Sequence, residues 1–302
     1  MPCLGVLRIF LMLLISMACL AQPSRLNERM PVWLKAFQVT GVGIGWIEDG
    51  KLVWTAFYGD QVPGGPPANA RTLYNVASLT KPITAELLLR LAAAGRLSLD
   101  EPISPYWVDE DVKDNHWHEL LTTRLCLSHQ SAFPNWRYQT KNKLQFQWQP
   151  GTAFGYSGEG FDYAAHFAEK RPAVCVRAHR DARDFVYASG MVEGQTGEAG
   201  GGRIAYEVVR GGSASLHRCD YAKFLIEAMR RDPERWKITR NQTTREMSSV
   251  LCKAAKDPKR CSVASGFGLG WHVVKINEEI IVDHTAADSD VKTFAFFHPK
   301  RK

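Results

Sequence analysis

Between residues 37 and 58 apolar and polar positions alternate, over Phe37–Glu48 and again over Lys51–Tyr58, with Asp49-Gly50 between the two runs. Period-two alternation around Asp-Gly predicts an antiparallel hairpin, because that dipeptide tolerates the positive φ angles of a two-residue turn. A turn-rich piece, Gly59–Ala70 with Pro63, Pro66 and Pro67, ends the alternation. From Ile83 to Ala94 the chain is rich in strong helix formers and stops at Gly95, which predicts a helix. Helical spacing returns over Glu119–Leu127, Phe161–Glu169 and Asp220–Arg230. Three apolar runs close the chain, Phe267–Val274, Glu279–Val282 and Thr293–Phe297, each read as a strand. Between Lys170 and Gly202 the pattern is poor, and irregular structure is expected there.

Strands, then mostly helices, then strands predict an α+β fold: an antiparallel sheet built from the N- and C-terminal strands, flanked by helices, with a mainly helical inserted subdomain. On that reading the sheet part takes roughly 30–77 and 205–302 and the helical part roughly 78–204, with no internal repeat.

Residues 1–21 stand apart. Arg8 precedes an apolar stretch from Ile9 to Leu20, and Cys19-Leu20-Ala21 supplies small residues before Gln22. That is the layout of a secretory signal peptide, too short and poorly flanked for a spanning helix. A lipoprotein signal ending at Cys19 ranks lower, since Ser16 stands where a leucine is usual. The mature chain is therefore expected to be exported, periplasmic or secreted, with no transmembrane span. Export permits disulfides. Five cysteines follow the leader, and Cys252 and Cys261, flanking a polar loop, are the best candidate pair. Cys126 sits in an apolar helical pattern and reads as a small core residue.

The chain is 45% apolar and 23% charged, which places it among ordinary globular proteins. Its net charge of +7 raises the question of nucleic acid. The basic residues are interspersed with acids, and the single basic run is Lys300-Arg301-Lys302, so a solvated basic surface is expected and no nucleic-acid partner. His116-Trp117-His118 is the one close histidine pair. On a strand both would share a face, but no carboxylate–histidine frame surrounds them, so neither metal nor organic cofactor is implied.

The stretch with chemistry in it is Leu73–Lys81. Ser78 falls at the mouth of the Ile83–Ala94 helix, and Lys81, three residues on, shares its face. A serine hydroxyl is a poor nucleophile until a base takes its proton, and a lysine held away from water can be that base. The helix N-terminus adds N–H groups and partial positive charge where an oxyanion would form. The pattern alone does not single out Ser78, because Ser289–Lys292 repeats the spacing. The hydrolase elbow G-x-S-x-G is absent, since Gly155-Tyr156-Ser157-Gly158-Glu159 breaks it at its last position. Tyr156 lies in a glycine-bounded turn before a helix, and His284-Thr285 follows a strand edge before Ala286-Ala287. These residues can face a cleft, where a histidine could bind the proton relay or a substrate carboxylate.

Taken in order, the three stretches resemble the serine β-lactamase and penicillin-binding-protein superfamily, in its class C-like branch with related esterases and D-amino-acid peptidases. The resemblance runs from about Phe37 to Pro299. It rests on Ser78-Leu79-Thr80-Lys81, on Tyr156-Ser157-Gly158 and on His284-Thr285-Ala286. Secondary matches are Leu127–Pro134, Gly211–Ser215 and Phe267–Trp271. The resemblance implies Ser78 as acylated nucleophile, Lys81 as its proton-accepting partner, Tyr156 as general base, His284 as a further catalytic residue, and Thr285 and Gly158 at the substrate. It implies the N–H groups of Ser78 and Ala287 as oxyanion donors. Gly158 stands where the family has an asparagine that would position Lys81 and bind substrate. Ala286 and Ala287 replace glycines. The chain stops at Lys302, where the family continues with a strand and a packed helix, so an uncovered sheet edge is expected.

The resemblance thus implies an exported serine hydrolase working through an acyl-enzyme on a small molecule or short peptide. Its carbonyl would be that of an amide, a D-amino-acid peptide, a β-lactam or a small ester, with small esters and D-peptides preferred over β-lactams. The alternative is a weak or inactive homologue that binds peptidoglycan-like ligands.

Overall fold

The computed structural model describes residues 24–171, 215–216, 218–253, 261–288 and 291–300. The leader at 1–21, most of the 170–202 stretch, the match at 211–214 and Cys175 lie outside them. The chain divides into two compact units, one holding Met1–Tyr74 with Ser215–Arg230 and the terminal Arg301–Lys302, the other holding Asn75–Ala214 with Arg231–Lys300.

In the first unit helix α1 (Ser24–Ala36) leads into strands β1 (Gly41–Glu48) and β2 (Lys51–Gly59). The strands pair antiparallel from Gly41 opposite Gly59 to Glu48 opposite Lys51. Asp49 and Gly50 take φ of 50° and 68°, as the Asp-Gly turn requires. Helix α5 (Arg218–Met229) packs on this hairpin.

The second unit contains α2 (Thr80–Ala93), α3 (Thr123–Leu127), α4 (Gly158–Lys170) and α6 (Arg245–Lys253). Its sheet runs in the order β3 (Arg240–Asn241), β4 (Val263–Phe267), β5 (His272–Ile276), β6 (Glu279–Asp288), β7 (Val291–Phe297), each pair antiparallel. The expected α+β class with antiparallel pairing is present. The hydrogen bonding is more divided than element order suggested, since among the described residues the β1–β2 hairpin and the five C-terminal strands form separate ladders. Alternation reveals strands but does not name their neighbours.

The core of the second unit joins Ala85, Leu88 and Leu89 of α2 to Cys126 and Leu127 of α3 and to Phe161 and Phe167 of α4. Cys126 is fully buried and burial pushes its thiol pKa far up, so it is inert packing. Glu86 on α2 pairs with Arg90 at 2.7 Å, Arg231 at 3.3 Å and Arg235, which ties the 3-10 turn Pro233–Trp236 to this helix. Cys252 and Cys261 form a disulfide linking the end of α6 to the start of β4.

Two sequence readings change. Glu119–Leu127 is a 3-10 turn, His116–Leu120, followed by the short α3. Thr122 has extended backbone and caps α3 through Leu125 N–H at 3.2 Å, which interrupts the helical spacing. His116 and His118 therefore lie in a tight turn and share no strand face. Phe267–Val274 is also not continuous, because β4 ends at Phe267 and β5 starts at His272. The turn between them seats Gly270 against α2 at φ 82°, with its N–H donating to Leu127 O at 2.9 Å.

A Cβ on Gly270 would meet Ala85 Cβ at 2.4 Å. Gly270→Ala is expected to destabilise the protein by about 2 kcal/mol or more, from positive-φ strain and overpacking together. Urea unfolding measures it, and a midpoint equal to the parent's contradicts this account of the turn.

Candidate active site

Ser78 lies in the 3-10 turn Ala77–Leu79 that opens directly into α2. Pro82 suits the first helical turn, where its missing N–H costs no helix bond. The turn is strained at Ala77, whose φ of 42° is rare for a residue with a Cβ. Asn75 holds it there, its Oδ1 accepting Ala77 N–H at 2.8 Å while its Nδ2 donates to Asp288 Oδ2 at 2.9 Å. Thr293 Oγ1 donates to Val76 O at 3.2 Å. The Ser78 turn is thus fastened to the end of β6 and to β7.

Lys81 Nζ donates to Ser78 Oγ at 3.0 Å. The lysine is only 5% exposed, and burial lowers its pKa from 10.5 to about 8 despite the opposing charge of Asp162. The positive end of α2 works in the same direction. Ser78 remains partly exposed, so the pair combines an accessible hydroxyl with a shielded amine.

Tyr156 hydrogen-bonds to Ser78 and lies with its ring under Lys81 Nζ at 4.9 Å. The amine thus lies over the aromatic face while both groups contact Ser78. Burial raises the phenol to about 12, against a smaller opposing effect of the Ser78 hydrogen bond. Tyr156 is a neutral phenol wherever Lys81 titrates. Lys81 is thus the more readily deprotonated partner of the two.

His284 on β6 is 2% exposed. Its Nδ1 lies 2.8 Å from Thr285 O, so Nδ1 carries the proton and Nε2 is a bare acceptor with no partner among the described residues. Burial, then Lys81, lowers its pKa to about 3. His284 is thus neutral across the physiological range and offers a lone pair. The strand alternates around it: His284 and Ala286 are buried, whereas Thr285 and Ala287 are exposed on the opposite face. The structure brings Ser78, Lys81, Tyr156 and His284 together and directs the Thr285 side chain elsewhere. Ala286 and Ala287 keep negative φ angles, so alanine is tolerated where glycines were expected.

Sequence reasoning left His129 and Trp136 without roles. His129 clamps Tyr156: its carbonyl accepts Gly155 N–H at 2.9 Å, its Nδ1 accepts Ser157 N–H at 3.0 Å, and its ring stacks on Tyr156 at 4.3 Å. Burial first, then the charges of Lys81 and His284, hold it well below an ordinary histidine pKa. Trp136 lies over Lys81 Nζ at 5.4 Å, beside Gly158 at the start of α4. Its neighbours are fastened on both sides. Gly158 N–H donates to both oxygens of Asn135, and Arg137 pairs with buried Glu159 at 2.8 Å.

A second serine has triad connectivity. Ser265 Oγ is 2.9 Å from His272 Nε2, and His272 Nδ1 is 3.0 Å from Asp283 Oδ2. Ser265 is 1% exposed in mid-strand, so its hydroxyl cannot meet a substrate as Ser78 can. Geometry favours Ser78.

A serine with a buried lysine one helical turn away, facing an antiparallel strand, defines a site suited to acyl transfer. The chain belongs to the Beta-lactamase family, whose model matches residues 33–302. It is 32% identical over 103 residues to human serine beta-lactamase-like protein LACTB, mitochondrial, covering 33% of this chain and 19% of that protein. Protein flp of Staphylococcus aureus is 30% identical over 103 residues, with 34% and 21% covered. The chain thus spans about a fifth of the length of these relatives. The octameric penicillin-binding protein homologue from Pyrococcus abyssi shares the fold with a TM-score of 0.59 at 18% identity, covering 93% of this chain and 72% of that one. D-alanine carboxypeptidase AmpC from Burkholderia cenocepacia gives 0.54 at 16% identity, with 91% and 90% covered.

The lowered pKa of Lys81 has a consequence for stability that needs no substrate. Between pH 8 and 10.5 the unfolded chain holds this proton and the folded chain does not. The burial penalty is full below pH 8 and is relieved as pH rises through that window. Replacing Lys81 by Met should remove a pH-dependent gain on the order of 3 kcal/mol. Denaturant unfolding at pH 7.5 and 10 measures it, and parallel pH curves for parent and Lys81→Met would overturn the assignment.

Proposed function

We propose that this chain is an exported serine hydrolase that works through an acyl-enzyme at Ser78. The observation that carries the reading is the 3.0 Å contact between an accessible serine hydroxyl and a buried lysine of lowered pKa. Neutral Lys81 accepts the Ser78 proton as Oγ attacks the carbonyl carbon. Tyr156, a phenol hydrogen-bonded to Ser78, relays a proton to the departing group. The N–H groups of Ser78 and Ala287 receive the oxyanion, the first at a helix N-terminus and the second on the strand fastened to that turn. Water then attacks the acyl-enzyme, with Lys81 and Tyr156 handling its protons, and Ser78 is released. The Cys252–Cys261 disulfide and the apolar leader support export.

Among substrates the site favours small esters and other uncharged acyl donors. Neutral, buried His284 adds no positive charge beside Ser78 and offers a substrate carboxylate neither charge nor donor. D-peptides and β-lactams with a free carboxylate are therefore the poorer class.

Two experiments test this reading. Incubation with a fluorophosphonate, read by intact mass, should give one adduct that Ser78→Ala abolishes. An acylation rate that rises with pH through about 8, the Lys81 value, is the expected profile. An absent adduct on folded protein, or one retained in Ser78→Ala, points instead to an inactive homologue that keeps the cleft for binding. Separately, His284→Lys should raise kcat/KM for a carboxylate-bearing ester over its neutral analogue by roughly tenfold or more, the scale of one charge-assisted hydrogen bond. An unchanged ratio would argue against His284 at the substrate.

A further inference from the structure

Trp136 stands out because its place depends on a residue 22 positions away. A Cβ on Gly158 would lie 2.6 Å from two atoms of the indole ring and 2.9 Å from Asn135 O. Gly158 does not have positive φ, so its backbone does not demand glycine. The ring beside it does.

We infer that Trp136 is a positioning residue for Lys81, seated in the notch left by Gly158, where its indole walls the amine from water and leaves Ser78 Oγ as the acceptor. Lys81 Nζ has the indole centroid at 5.4 Å, the Tyr156 centroid at 4.9 Å and Ser78 Oγ at 3.0 Å. Aromatic faces attract a cation without directing a donor as an oxygen would, so the directional contact goes to the nucleophile. The wall is rigid. Ser157 Oγ donates to Pro134 O at 2.8 Å, Gly158 N–H donates to Asn135 Oδ1 at 2.9 Å, and Arg137 N–H donates to Glu159 Oε1 at 2.8 Å. These bonds pin the chain on both sides of position 136 to the first turn of α4.

Two effects of the indole on Lys81 oppose each other. Its face favours the ammonium, by at most about 1.5 pKa units. The water it excludes favours the neutral amine, and burial can shift a lysine by about 3–5 units. At Lys81 burial as a whole prevails and its value falls to about 8, and the indole is one wall of that burial.

The inference rests on Lys81 as the base of the proposed reaction, but its test does not need turnover. Lys81 is titrated directly by NMR in protein carrying 13Cε-lysine, its signal assigned by loss in Lys81→Met. Trp136→Ala, which admits water, should move the midpoint up by about one unit or more. Trp136→Phe, which keeps an apolar ring, should stay nearer the parent. Gly158→Ala pushes the indole aside without deleting it and should shift the midpoint in the same direction as Trp136→Ala. If Trp136→Ala does not fold, Gly158→Ala and Trp136→Phe decide the matter. Parent-like midpoints in folded Gly158→Ala and in every folded Trp136 variant would overturn the inference. Failure of the parent to form a fluorophosphonate adduct would remove the catalytic reading alone.

Discussion

The site depends on keeping one lysine amine out of water. Lys81 cannot take a proton from Ser78 near neutrality unless burial lowers its affinity for one, and an ammonium without water must be surrounded by something. Here the surroundings are a serine oxygen, two aromatic faces, a carboxylate acting at longer range and the positive end of a helix. Each comes from a different part of the chain. The α2 N-terminus, the 134–137 loop, the turn before α4 and strand β6 must all be in place before the amine is dry.

That requirement accounts for the strain and fastening nearby. The positive φ angles of Ala77 and His129 flank the chemistry, and each is held by hydrogen bonds that leave little choice. His129 accepts from the residues before and after Tyr156, so the phenol cannot drift from Ser78 without breaking buried hydrogen bonds. Stability is given up locally at these residues to fix a geometry, and the dense aromatic and aliphatic core between α2, α3 and α4 offsets it.

The hairpin, the main helices and the C-terminal strands were legible because their periods are strong and their ends carry Asp-Gly or glycine. Ser78, Lys81, Tyr156 and His284 each lie beside a recognisable element end, but only the family resemblance joined them into one set. The pairing of strands into separate ladders was not, since alternation carries no information about neighbours. The break at Thr122 was hidden because a capping threonine reads as an ordinary polar position in a helical stretch. The protonation states were also beyond sequence, because they follow from burial. Tyr156 stays a phenol because burial raises its pKa, and Lys81 is readily deprotonated because burial lowers its own.

Gly158 shows how a departure from a family pattern can be compensated at a distance. Read along the chain it is a missing side chain, and it weakens the case for a working site. Read in space it makes room for an indole that no single-position comparison would pair with it. A buried amine tolerates either a hydrogen-bonding neighbour or an aromatic wall, but the two make different sites. An amide would share the amine's donors, whereas an indole leaves them to the nucleophile. Together with a buried, neutral His284, the aromatic wall leaves the Lys81 amine directed at Ser78 rather than shared with a side-chain amide.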